Sequence, residues 1–400
     1  MLHVNPNISR VSVSPASTMT AKARELAERG VKVVSLSTGE PDFDTPKHIV
    51  DAAVRAARSG DTHYPPLDGT RALKEAIRRK FARENRLDFA ANEIMVGNGA
   101  KQLIFNALMA TLAPDDEVIV PVPCYASYAD MTRSVGGNPV LVSCAQNNGF
   151  RLRPKDLEAA ITPRTRWLII NMPNNPTGTV YSRADLEAIG DVVLRHPHVW
   201  VMTDDIYEHL MYSDVPFCTI AEAVPWLRDR VLTINGCSKG YAMTGWRVGY
   251  CGGPRPLIEQ MLKVQGQVSS GICTISQAAA VAALDGPQDT VVRWREIYRQ
   301  RRDLVLAMLA KVPELSCHRP DGAFYAFPSV AGCLGKTTAG GHRLQTDADV
   351  SLSLLAEQHV STVHGSAFGM SGYIRLSYAT DMESLTIACE RIQKFCAGLH

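Results

Sequence analysis

Short apolar runs alternate with helical periodicity over much of the chain. Glu93-Ile-Met-Val96 leads into a helical pattern from Ala100 to Leu112, and Glu117-Val-Ile-Val-Pro121 into another from Tyr125 to Val135. Arg166-Trp-Leu-Ile-Ile-Asn171, Val199-Trp-Val-Met202, Val231-Leu-Thr-Ile234 and Arg247-Val-Gly-Tyr250 continue the series. Strands that are apolar at consecutive positions, not at alternate ones, are covered on both faces. The pattern predicts an α/β lobe over residues 51–285, a mostly parallel, doubly wound sheet with helices around it. After Gly286 the texture changes to a long helix from Asp289 to Lys311, the run Gly322-Ala-Phe-Tyr-Ala-Phe327, a helix over Asp347–His359 and the run Tyr373-Ile-Arg-Leu-Ser377. Residues 286–400, joined by 1–50 through Val31–Leu36, read as a smaller α+β lobe. The glycine-rich stretch from Ala331 to Gly341 predicts a flexible loop or hairpin.

Length agrees with two lobes, since 400 residues exceed one ordinary core. A composition of 46% hydrophobic and 20% charged residues with a formal charge of +2 fits a soluble globular chain. It offers no concentrated basic surface for nucleic acid. The cluster Arg299-Gln300-Arg301-Arg302 sits in a helical pattern and reads as a solvated face. No apolar run reaches the about 18 residues of a membrane helix, and Met1–Arg10 lacks the apolar centre of a signal peptide. The ten cysteines form no C-x-x-C pair. They lie singly in apolar surroundings, as at Cys237, Cys251 and Cys273, and read as buried thiols of a reducing cytoplasm.

Open parallel sheets bind ligands beyond the carboxyl ends of their strands, so the loops there carry the candidate chemistry. Val96-Gly-Asn-Gly-Ala-Lys-Gln102 turns tightly from strand into helix and offers free N–H groups to a phosphate. A merely structural turn reads equally well. Gln102 replaces the third glycine of a dinucleotide fingerprint, and Val330 replaces the first glycine of a P-loop ending at Gly335-Lys336-Thr337. Asn171-Met-Pro-Asn-Asn-Pro-Thr-Gly178 is either a proline-rich turn or an array of fixed amide donors and acceptors. Val201-Met-Thr-Asp-Asp-Ile-Tyr-Glu208 ends a buried strand in acids, which need a cation or donors. Asp204 and Asp205 point to opposite faces, so at most one enters a site. No histidine or further acid is suitably spaced for a metal there, and His196 and His198 read as exposed turn residues. Ser238-Lys-Gly-Tyr-Ala-Met-Thr-Gly-Trp-Arg-Val-Gly-Tyr250 is the most specific string. A desolvated lysine after a strand can form a Schiff base, and an arginine eight residues on can clamp a phosphate.

That string resembles the lysine signature of the fold-type-I, class I/II aminotransferases that use pyridoxal 5'-phosphate. Gly39-Glu-Pro-Asp-Phe-Asp-Thr-Pro46, Asn175-Pro-Thr-Gly178, Asp204-x-x-Tyr207 and Tyr373-Ile-Arg-Leu-Ser-Tyr-Ala379 follow in the family's order. The resemblance runs from Ser14 to the C-terminal helix. Gly99-Ala-Lys-Gln102 and Gly365-Ser-Ala-Phe-Gly369 are most similar to the bacterial aspartate aminotransferase branch. It implies that Lys239 carries the cofactor as a Schiff base and moves the substrate proton. Asp204 then pairs with the pyridine nitrogen, and Asn175 and Tyr207 meet the ring's phenolic oxygen. Arg247 and the N–H groups of Ala100 and Lys101 hold the phosphate, while Tyr125 stacks on the ring. Tyr64 reaches the phosphate of a neighbouring subunit, which implies a homodimer with shared sites. Arg375, beside the backbone of Gly39, grips the substrate α-carboxylate; Lys101 is the candidate for a distal carboxylate.

The resemblance thus implies transfer of the amino group of an L-amino acid, preferably L-aspartate, to 2-oxoglutarate; composition, cysteine usage and ligand spacing place it in the cytoplasm with no metal, nucleic acid or membrane involved. An aromatic or prephenate-directed aminotransferase is the nearest alternative, and a carbon–sulfur β-lyase a further one. Three departures bear on the substrate. Ala16 stands where relatives often carry threonine, Gly236 offers no hydroxyl three residues before the lysine, and His364 replaces a usual proline. A transcription regulator with this domain would need a DNA-binding helix-turn-helix ahead of it, for which the N-terminal segment leaves no room.

Overall fold

The computed structural model describes residues 4–13, 15–213 and 216–400. Ser14, within the Ser14-Pro-Ala16 motif, and Met1 lie outside them. Among the described residues twelve strands follow in chain order. β1 spans Val34–Ser35, β2 Ile94–Asn98, β3 Glu117–Val122, β4 Asn138–Ser143, β5 Thr165–Asn171 and β6 Trp200–Asp204. β7 spans Val231–Gly236, β8 Val248–Gly252, β9 Tyr325–Ala326, β10 Val360–Ser361, β11 Val363–His364 and β12 Ile374–Ser377. β2 to β8 form one seven-stranded sheet in the order β2-β8-β7-β6-β5-β3-β4. All its strands run parallel except β8, which is antiparallel to both β2 and β7.

The consecutive apolar positions are explained by cover on both faces. Trp167 and Ile169 of β5 pack with Leu103, Leu108, Leu257 and Met261. Leu168 and Ile170, one residue out of phase, pack with Leu186, Ile189 and Val192 on the other face. Each such side chain stabilises the fold by about 1.5–3 kcal/mol in transfer terms. β4 is legible only in the structure. It is an edge strand, largely half-exposed and carrying Pro139, so it lacks a buried strand's pattern.

Elsewhere, β9, β11 and β12 form a small antiparallel sheet, and β1 pairs in parallel with β10. The helices Asp289–Leu309, Asp347–Gln358 and Met382–Ala397 cover them, with Tyr298, Leu354 and Ile392 in their shared core. Val34 and Leu36 pack in the same core. The glycine-rich stretch holds one short turn of 3₁₀-helix over Ala331–Cys333 and a bridge from Thr337 to Arg343.

Two expectations are corrected. Arg301 and Arg302 are not a solvated face: they are 5% and 4% exposed. They lie on the inner side of their helix, in step with Trp294, Tyr298 and Val305, where the guanidinium groups find partners that a bare charge run does not reveal. The cysteines are all free, but Cys273 is exposed at a helix start. Cys333 and Cys396 are not solitary, their sulfurs lying 3.9 Å apart.

Candidate active site

Strand order sets the site. β2, β5, β6 and β7 run the same way, so the loops that follow them meet at one edge of the sheet. β8, reversed between β2 and β7, delivers its N-terminal Arg247 to that same edge. The sequence pieces from Gly97, Asn171, Asp204, Ser238 and Arg247 thereby converge.

The helix Ala100–Thr111 begins at Gly99 with no side-chain cap, leaving the first backbone N–H groups to a ligand. Two glycines make this approach possible. A Cβ on Gly99 would meet Arg247 Nη2 at 2.3 Å, and one on Gly249 would meet the Ala100 nitrogen at 2.3 Å. Arg247, with φ of 55°, donates to the carbonyls of Thr244 at 2.9 Å and Asn98 at 3.3 Å. Its guanidinium thus stands against the helix start as a cradle for an anion. The departure at Gly236 also has a steric reason, since a Cβ there would lie 2.8 Å from the Val248 carbonyl.

Asp204 ends β6 and is 5% exposed. Tyr128 donates to its Oδ2 at 2.6 Å, while its Oδ1 is buried with no hydrogen-bond partner. Burial raises its carboxyl to about 6, against the opposing pull of the Tyr128 hydrogen bond. Asp205 indeed faces the other way, accepting from Thr203. Lys239 donates its amine to the Gly39 carbonyl at 2.7 Å. Burial lowers its pKa to about 8; Glu40 opposes this, and the Arg375 and Arg247 cations reinforce it. An amine near neutrality, an orphan carboxylate oxygen and an anion cradle are the fittings that a phosphorylated, cationic, aldehyde-bearing ring requires. The donor set therefore fits pyridoxal phosphate.

Arg375 on β12 is 4% exposed and lies 4.6 Å from the Tyr325 ring and 5.0 Å from the Phe368 ring. It donates to Asn175 Oδ1 at 3.1 Å and to the Ser37 carbonyl at 2.6 Å, and its Nε is buried without a partner. The backbone group that meets Arg375 is thus Ser37, two residues before Gly39. Tyr207, 4% exposed, shares a hydrogen bond of 2.8 Å with Tyr325. A cavity of about 330 Å³ opens beside Arg375, lined also by Lys101, Phe105, Tyr125, Ala16 and Phe368. The Lys101 ammonium sits 5.2 Å from the centre of the Tyr125 ring. Ala16 is therefore a pocket residue, whereas His364 is absent from that lining and bonds to Ser366 at 2.6 Å.

Tyr64 alone stands apart, 94% exposed on a surface loop. Sequence reasoning missed Tyr128, Tyr325, Phe368 and Ser37. The first two occur in strings that read as ordinary helix and strand, and no local signal marks them. It also missed the support beneath the loops. Fully buried Lys80 meets Glu208, which further accepts from Asn85 at 2.7 Å and Asn235 at 2.8 Å. Glu208, His209 and Glu84 bring potential ligand atoms within 4.8 Å of one another, but the Lys80 ammonium binds there as the cation.

The chain belongs to the aminotransferase class I and II family, whose profile it matches over residues 31–392. It is an enzyme of the transaminase class, and this family implies pyridoxal phosphate as the cofactor. Among its relatives, the aspartate/prephenate aminotransferase of Cereibacter sphaeroides is 50% identical over 399 residues, covering 100% of both chains. The aspartate aminotransferase of Rhizobium meliloti is 51% identical over 392 residues, 98% of this chain and 96% of that one. A crystal structure of the aspartate aminotransferase from Rhizobium meliloti matches with a TM-score of 0.97 at 50% identity over 100% of both chains. The Thermus thermophilus aspartate aminotransferase with maleate matches with 0.92 at 39% identity over 99% of this chain and 100% of that one. The chain thus falls in the bacterial aspartate aminotransferase branch of the family.

Proposed function

We propose that the enzyme moves the amino group of L-aspartate to 2-oxoglutarate with pyridoxal phosphate carried on Lys239. Residues 51–285 would form the cofactor lobe, with 1–50 and 286–400 as the second. When bound, the cofactor supplies an aldehyde that condenses with amines and a cationic ring that withdraws electrons from the substrate Cα. Asp204 keeps the pyridine nitrogen protonated, and the pyridinium in turn is the cation its buried Oδ1 lacks. Asn175 and Tyr207 hydrogen-bond the phenolic oxygen, and Tyr125 covers the ring face. Arg247 and the Ala100 and Lys101 N–H groups hold the phosphate. Arg375 takes the substrate α-carboxylate in a bidentate pair, and Lys101 across the cavity takes the distal carboxylate. With the substrate so oriented, Lys239 in its neutral form removes and returns the Cα proton.

The observation that carries this reading is the Lys239 amine, lowered to about 8 and enclosed within the constellation of Asp204, Tyr207 and Arg375. Tyr64, exposed in the single chain, supports a homodimer in which it serves the partner's phosphate. The ten free cysteines fit a reducing cytoplasm. Phe105, Tyr125 and Phe368 along the cavity favour prephenate as a second amino acceptor, one that the relative from Cereibacter sphaeroides also carries in its name.

The test is an absorbance titration of the loaded enzyme. L-Aspartate at low concentration should convert the cofactor band to the amine form, and Lys239→Ala should lose turnover. Conversion by L-phenylalanine alone would discard aspartate, and pyruvate release without an acceptor would point to a β-lyase instead.

A further inference from the structure

The segment 37–45 crosses between the small sheets and the Lys239–Arg247 loop, and it touches both functional cations. Ser37 accepts from Arg375 and Gly39 from Lys239. Its two ends are held independently. Beside Ser37, the Leu36 N–H donates to the Ser361 carbonyl at 2.8 Å and the Ser377 N–H to the Leu36 carbonyl at 2.8 Å. At the other end Thr45 donates to the Ala242 carbonyl at 2.7 Å, and Trp246 Nε1 donates to Thr45 at 3.0 Å.

Between these ends the strap is pinned by a side chain that the proposed chemistry does not use. Arg301 donates both Nη groups to Asp42, at 2.7 and 2.8 Å, and is 7% exposed in its side chain. Tyr298 donates to the same carboxylate at 3.3 Å. Phe43 stacks on Trp294 at 4.8 Å with the rings 3° from parallel, and the Arg301 guanidinium lies 5.2 Å from the Phe43 centroid. Arg301 is buried, but the Asp42 side chain keeps 25% of its exposure, and an ion pair open to solvent on one side contributes little net stability. What a bidentate pair does supply is orientation. Here it orients the turn that ends in the Gly39 carbonyl, where a Cβ would already lie 2.6 Å from the Tyr325 hydroxyl.

We infer that Arg301 is a positioning residue for amino transfer, holding the Gly39 carbonyl, and through it the Lys239 amine, by way of Asp42. The inference rests on the reading of Lys239 as the proton-moving amine. A displacement of about 1 Å of such a group can slow a reaction up to about a hundredfold. Ser37, secured by strand pairing, keeps its grip on Arg375 whether or not Asp42 is held.

The experiment compares wild-type holoenzyme with Arg301→Met, Arg301→Lys and Asp42→Asn. Arg301→Met should lower kcat about tenfold while KM for aspartate stays within about twofold. The kinetic isotope effect with Cα-deuterated aspartate should rise, as proton transfer becomes more rate-limiting. In cofactor-free protein at constant pH, acetic anhydride should label Lys239 at least about twofold faster in the variant, its amine having lost a fixed acceptor. Arg301→Lys, with the charge but no fork, should fall between. Folded variants with unchanged kcat, isotope effect and labelling, even if they melt lower, would overturn the inference. If Arg301→Met does not fold, the other two variants decide on the same readouts. A wild-type protein with no cofactor band on Lys239 would instead overturn the underlying reading.

Discussion

Asp204 carries its charge in a place that resists it. Burial raises its carboxyl to about 6, so the fold without cofactor favours the protonated form. Stability from this group is therefore full at acid pH and is lost as pH rises from the ordinary carboxylate range through about 6. By linkage the loss is on the order of 2–3 kcal/mol. Asp204→Asn should consequently raise the melting temperature of cofactor-free protein at pH 8 and flatten its dependence between pH 4 and 6, while transamination collapses. Thermal melts across that range decide the matter, and an asparagine variant that melts lower at pH 8 would refute the account. Such a residue was legible in the sequence because a charged side chain ending an apolar strand needs a partner. Its donor Tyr128 was not, since 76 residues separate them and a tyrosine in a helical pattern reads as core. Tyr207 and Tyr325, 118 residues apart, are the same case.

At the level of elements, the phosphate cradle depends on how closely β8 passes under the helix Ala100–Thr111. Gly249 is the point of contact, and an added Cβ would strike the Ala100 nitrogen and the Gly99 carbonyl carbon, both at 2.3 Å. Those are backbone atoms that cannot swing aside. Gly249→Ala should then weaken cofactor binding by at least about tenfold, since the helix start and Arg247 are pushed apart. Equilibrium dialysis against pyridoxal phosphate reads this directly, and unchanged affinity would mean that the phosphate is held elsewhere. The strand–turn–helix element was visible in the sequence from two glycines and the periodicity after them. The antiparallel insertion of β8 was not, because an apolar run looks the same in either direction. Arg301 fails for a related reason: the charge run suggests solvent, but the helical phase of Trp294 and Tyr298 places it inside.

At the scale of the whole molecule, Tyr64 distinguishes a self-sufficient chain from a shared site. If it serves the neighbouring subunit, Tyr64→Phe should bind cofactor more weakly, whereas Lys239→Ala should be inactive with its own Tyr64 intact. Refolded together, the two should yield mixed dimers in which one site combines Lys239 from one chain with Tyr64 from the other. Cofactor affinity at that site should return to the wild-type value; a mixture no tighter than Tyr64→Phe alone would show that the tyrosine acts within its own chain or not at all. The sequence by itself determined the doubly buried strands, the turns that follow them and the lysine signature, because periodicity and short-range spacing are local properties of a chain. Reaction class followed from the family resemblance that those motifs carry. Only the tertiary structure decided that Ser37 meets Arg375, that Tyr128 meets Asp204, that Lys80 is buried against Glu208 and that Arg301 holds the strap. Such meetings depend on strand order and on where the chain crosses between its sheets, and the hydrophobic pattern is the same for many orders.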